Sequence, residues 1–139
     1  MTGARWEREL IERLGEQGWT AMRAPASGAA TVRDLPDVLA LTPIPDAEYH
    51  TGNPASWTLA IEAKYRSDSP AYFDLAELEA LERFAQLAGA NPYIGVRWSG
   101  TVFGETDWRF AHPGDIETTE TKAKLEFEVT EAWERVEAL

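Results

Sequence analysis

Asp37 follows Pro36 directly, and Glu62 and Lys64 stand two apart in the run Ile61-Glu-Ala-Lys64. Two carboxylates brought within reach of each other repel, and a divalent cation relieves that repulsion. Such a cation lowers the pKa of a water bound to it and offsets charge building on a pentavalent phosphate. A lysine beside the pair can orient the attacking water or stabilise the same charge. These three residue types therefore suit metal-assisted phosphodiester hydrolysis, provided that one carboxylate comes from each of two adjacent strands. The pattern P-D…E-x-K is short, with 24 residues between its acidic members, and also fits a turn residue followed by a solvated edge pair.

Neighbouring residues bear on that choice. Glu7 shares a helical face with Ile11 and Leu14, so it borders an apolar stripe from which a carboxylate could reach the same cation. An acid near a helix N-terminus is also favoured by the helix dipole alone. Arg8 and Arg23 bracket this region, and Ser27-Gly28 offers a hydroxyl and backbone N–H groups in a loop of small residues. The chain has no cysteine, and His50 and His112 lack partners at ligand spacing. The expected cation is hard and oxygen-bound: magnesium, with manganese as substitute.

Certain elements must position these groups. Residues 6–17 have helical spacing (Trp6, Leu10, Ile11, Leu14), and Gly18 stops the helix. Trp19 to Arg23 is a short strand candidate, and 26–33 reads as loop. Asp37 to Leu41 is an apolar run expected as a buried strand. Residues 42–56, rich in proline, read as an insertion with no packing face. Trp57 to Tyr65 alternates, which puts Glu62 and Lys64 together on the face opposite Leu59 and Ile61. A helix is predicted over 75–88, opened by a variant capping box of Asp74 and Glu77 and closed by Gly89. Strands are expected at Tyr93 to Trp98 and Trp108 to Ala111. Further on, Lys124 to Val129 resembles an edge strand, and Ala132 to Leu139 is expected to close as a helix. The fold class is α/β: a central mixed sheet flanked by helices, in one domain over 1–139.

Composition bounds the setting. Hydrophobic residues are 44% and charged residues 27% of 139, which suits a globular protein and is too apolar for disorder. No apolar run reaches membrane-spanning length, no leader opens the chain, and a cytoplasmic location with no membrane partner is expected. The net charge of −11 is unevenly spread: residues 1–33 hold five Arg and four Glu, whereas 34–139 hold eight basic and twenty acidic residues. Lys64, Lys122 and Lys124 are the only lysines. A lysine-poor acidic surface fits a high-salt cytoplasm, where the Debye length is about 3 Å at 1 M salt and self-repulsion is screened. A mesophilic acidic protein that binds no nucleic acid has the same charge signature.

Together, Gly3-Ala-Arg-Trp-Glu7-Arg8, Gly18-Trp19, Arg23-Ala-Pro-Ala-Ser27-Gly28, Pro36-Asp37-Val-Leu-Ala40, Ile61-Glu62-Ala-Lys64 and Tyr93-Ile-Gly-Val-Arg97 resemble the archaeal Holliday junction resolvases of the PD-(D/E)XK nuclease superfamily. The resemblance runs in order over roughly 3–111, and the Arg-Ala-Pro-Ala-Ser-Gly run is its specific part. It implies a restriction-endonuclease-like core and a homodimer that nicks four-way DNA junctions symmetrically with magnesium and no organic cofactor. It further implies that Asp37 and Glu62 bind metal, that Glu7 assists there, and that Lys64 is catalytic. Arg8, Arg23 and Arg33 would contact DNA, and the Ser27-Gly28 loop would approach the scissile strand. The acidity, the 42–56 insertion and the tail from about Pro113 depart from the family pattern. Two rival readings stand beside this one: a nuclease on ordinary or damaged duplex DNA, and a catalytically silent DNA- or partner-binding module.

Overall fold

The computed structural model describes residues 3–24, 35–42, 58–99, 107–127 and 134–139. Helix α1 (Gly3–Glu16) buries Trp6, Leu10 and Leu14 at the predicted spacing. It ends where Gly18 takes φ 92, a left-handed conformation that costs a glycine little. Strands β1 (Thr20–Arg23), β2 (Val38–Leu41), β3 (Thr58–Arg66) and β4 (Ala71–Asp74) precede helix α2 (Leu75–Ala88). Strands β5 (Asn91–Trp98), β6 (Arg109–Ala111), β7 (Lys122–Leu125) and β8 (Glu134–Arg135) complete the order.

Six strands form one sheet in the order β1-β2-β3-β5-β6-β8. The β3–β5 pair is parallel and the other neighbours are antiparallel. The sheet is thus mixed, with α2 as the crossover that a parallel pair requires. Its two faces bury separate cores. On one side α1 packs Trp6, Leu10 and Leu14 against Val38, Ala40, Leu59, Ile61 and Phe110. On the other, α2 packs Leu78, Leu81 and Ala85 with Ala60, Ile94, Val96 and Trp98. The α/β expectation holds, and the period-two alternation of β3 explains how one strand feeds both cores.

Three expectations need correction. Asp74 occupies the N-cap of α2 in extended conformation but makes no side-chain cap bond. Lys122 Nζ donates to Asp74 Oδ1 at 2.9 Å, and the Leu75 N–H is satisfied by Thr121 O at 3.0 Å, so a distant strand replaces the capping box. The strand expected at 124–129 lies earlier, at 122–125, and pairs with β4 in a separate two-stranded ribbon instead of edging the main sheet. The closing helix is absent among the described residues. Glu134 and Arg135 instead add β8 to the β6 edge, and Val136–Ala138 form a single 3-10 turn that buries Val136. Three residues of turn suffice to fill that space, and a bare two-turn helix would be marginal in water.

Candidate active site

The β2–β3 register pairs Val38 with Ile61, so Asp37, one residue before β2, stands opposite Glu62. The Asp37 carboxylate is tied to β3 itself: Oδ2 accepts the Ala63 N–H at 2.9 Å. Its backbone is fixed as well, because Asp37 O accepts from Ala24 N at 2.9 Å just past β1. A Pro-Asp step into an apolar strand places a carboxylate at the strand mouth, where the ladder begins. Glu62 follows the fully buried Ile61, its side chain mostly withdrawn from water and hydrogen-bonded to Asp37.

Burial pushes the Glu62 carboxyl up to about 9, and the negative charges of Asp37 and Glu77 push it the same way. Lys64 opposes them with a smaller effect. Without a cation Glu62 therefore holds its proton at neutral pH. Glu77, in the first turn of α2, is a site neighbour that sequence reasoning treated only as a cap; the one available signal was its place at the helix end beside Asp74.

Lys64 projects from the same face as Glu62. Its Nζ donates to Tyr72 O at 2.5 Å and lies 4.5 Å from the centroid of the Phe73 ring. Strand β4 thus holds the ammonium group by a carbonyl and by the negative face of an aromatic ring. On the opposite face of β3, Tyr65 stacks on Trp6 with centroids 4.2 Å apart and its hydroxyl bonds Ser99 Oγ at 2.9 Å. Those contacts lock the end of the strand that carries Lys64.

Glu7, expected as a third carboxylate at the cation, is held elsewhere. Arg23 Nε donates to Glu7 Oε2 at 2.7 Å, and both side chains are half-buried. Arg23 pairs with Val38 across β1–β2, so this ion pair belongs to the α1 side of the sheet, whereas Glu62 and Lys64 project on the α2 side. Among the described residues no group of three His, Asp or Glu side chains is arranged to hold a metal ion. Arg8 is exposed, with Nε donating to Ala4 O at 3.2 Å. Ser27, Gly28 and Arg33, together with His50 and the stretch 43–57, lie outside the described residues. His112 sits against the Tyr93 ring and near Pro92 O, a packing role.

Two facing carboxylates on adjacent strands fit a hard cation. Magnesium needs only one or two protein carboxylates, since waters and substrate phosphate oxygens complete its shell.

The family model described as archaeal Holliday junction resolvase (Hjc) matches residues 1–138. The chain belongs to this resolvase family. A relative described as crossover junction endodeoxyribonuclease Hjc, from Archaeoglobus fulgidus, is 31% identical over 124 residues, covering 89% of this chain and 78% of its own length. Another of the same description, from Sulfurisphaera tokodaii, is 28% identical over 96 residues, covering 68% of this chain and 58% of its own. The solved structure of the Archaeoglobus fulgidus Hjc, described as a Holliday junction resolvase, superposes with a TM-score of 0.77 at 28% identity, covering 98% of both chains. The resolvase-like fold extends through the tail from Pro113, the part of the sequence whose resemblance was not recognisable. No helix among the described residues is long and apolar enough to cross a membrane.

Proposed function

We propose that the protein is a structure-selective endonuclease that cleaves four-way DNA junctions by metal-dependent phosphodiester hydrolysis. The observation that carries this reading is the Asp37–Glu62 pair, one carboxylate from each of two adjacent strands with Lys64 two residues on, in a chain of the resolvase family. Asp37 and Glu62 would hold magnesium, or manganese in its place, and the bound cation would supply an ionisable water and positive charge at the phosphate. Lys64, kept in register by Tyr72 O and the Phe73 ring, faces the phosphate and stabilises charge there as it builds. Glu7 acts through Arg23, fixing on the α1 side of the sheet a guanidinium that, with Arg8, meets the DNA backbone. Ser27, Gly28 and Arg33 are assigned to the same DNA contact on the strength of the family motif.

A four-way junction has near two-fold symmetry, so a two-fold homodimer would set two such sites on opposed strands. The test uses labelled four-way, linear and flapped DNA with magnesium at several potassium chloride concentrations, up to molar. Paired symmetric junction cuts are expected, together with a loss of at least about a thousandfold on Asp37→Asn, the scale of one essential electrostatic group. Equal cutting of linear duplex would replace junction selectivity with general nuclease activity. Binding without cleavage under every metal and salt condition would indicate a silent module.

A further inference from the structure

Thirteen basic residues occur in this chain and only three are lysines, yet the fold gathers all three lysines at one ribbon. Lys64 Nζ bonds Tyr72 O. The β4–β7 register then sets Lys124 opposite Tyr72 and Lys122 opposite Asp74. Directly opposed residues of an antiparallel pair share a face, so Tyr72, Asp74, Lys122 and Lys124 make one outward strip. Beneath it Ala71, Phe73, Ala123 and Leu125 are buried.

The strip continues into the candidate active site. Asp74 lies in electrostatic reach of both Lys122 and Lys64, and it also hydrogen-bonds Glu77, whose charge reaches Glu62. Both outer lysines carry a carboxylate partner: Lys122 Nζ to Asp74 Oδ1 at 2.9 Å, and Lys124 Nζ to Glu126 Oε1 at 3.2 Å. All four side chains are 41–56% exposed. Exposed pairs of this kind hold together by roughly 0–1 kcal/mol, so a phosphate can displace the carboxylate at little cost. Lysine suits that exchange, being a compact, mobile point charge without arginine's fixed fork. The two lysines are two residues apart on one strand, about 7 Å, a spacing that lets each reach a different phosphate of one DNA strand.

We propose that the β4–β7 ribbon is a phosphodiester-binding strip, in which Lys122 and Lys124 exchange Asp74 and Glu126 for successive backbone phosphates of the strand leaving the Asp37–Glu62 site. The proposal rests on the junction-nuclease reading and assigns the path of the strand beside that site. Binding of the full-length protein to a labelled four-way junction is measured in calcium, across a potassium chloride series. The variants are Lys122→Gln with Lys124→Gln, both lysines to Arg, Glu126→Gln, and Arg135→Gln on the exposed edge of β8 as a control for net charge.

The paired glutamine variant is expected to bind about tenfold more weakly, with the slope of log K against log salt reduced by about 2, since each lost phosphate contact removes roughly 0.9. The paired arginine variant restores both, and Glu126→Gln binds more tightly. A slope unchanged in the paired glutamine variant, or changed equally by Arg135→Gln, overturns the strip. A wild-type protein that binds no junction in any salt overturns the strip and the functional reading together. A wild-type protein that cuts junctions with a slope indifferent to these lysines overturns the strip alone.

Discussion

Glu62 shows how one residue can couple the candidate chemistry to stability. Its carboxyl is pushed up to about 9 by burial and by Asp37, so the metal-free fold keeps a proton that the unfolded chain gives up near 4.5. A proton bound only by the native state favours folding below the unfolded value, and that contribution fades as pH rises toward the folded value. In a metal chelator, the melting temperature is therefore expected to fall between about pH 5 and pH 9, and Glu62→Gln should flatten that fall. Added magnesium should recover more stability at the alkaline end, because a cation binds where the proton has to leave. Thermal melts of wild type and Glu62→Gln across that range check this; identical pH profiles would mean that Glu62 is already ionised in the metal-free fold.

At the scale of the element, the central strand β5 tolerates no added bulk at Gly95. A Cβ there would come within 3.0 Å of Phe110 Cε1 and 3.3 Å of Ile61 Cγ2, and both side chains are fully buried. Gly95→Ala should destabilise the fold by about 1–3 kcal/mol, the usual cost of overpacking, read as a lower denaturation midpoint at unchanged slope. The elements that build the site were legible because their patterns are long or strict. In β3 the larger apolar residues Leu59, Ile61 and Tyr65 recur at every second or fourth position with Glu62 and Lys64 between them, α2 carries an apolar stripe and ends at Gly89, and Pro36-Asp37 marks a strand entrance. The short elements were not legible. Strand β4 has four residues, and its partner β7 lies 48 residues further along between the bonded Asp74 and Lys122, so no local window contains the pairing. The tail was misread as helix because eight residues with a few apolar positions fit either period. Glu7 was read correctly as bordering the buried stripe, but its Arg23 partner depends on how β1 docks beneath α1, which spacing along the chain does not encode.

The whole molecule carries a charge of −11, the sum of +1 over residues 1–33 and −12 over residues 34–139. Self-repulsion of that size opposes compactness and is weakened by salt. Raising potassium chloride from about 0.1 M to about 1 M shortens the screening length from roughly 10 Å to 3 Å, and the melting temperature is expected to rise across that range. A melting temperature that is flat or falls with salt would mean that the acidic surface is already balanced by local pairs such as Arg97–Glu9 and Arg13–Asp107. The same screening makes DNA affinity salt-tolerant only if phosphate contacts are few, so the binding slope and the melting curve together measure how the basic residues are divided between substrate and fold.

The β4–β7 ribbon also has a consequence for the order in which the protein comes into being. Asp37, Glu62 and Lys64 all leave the ribosome before the strand that fixes β4 and supplies Thr121 O to the start of α2. The strand that holds Lys64 in place has no partner until residue 125 is available, because β7 supplies every hydrogen bond of that ladder. A nascent chain thus carries Asp37, Glu62 and Lys64 without the frame that aligns them, and gains that frame only once residue 125 has been made.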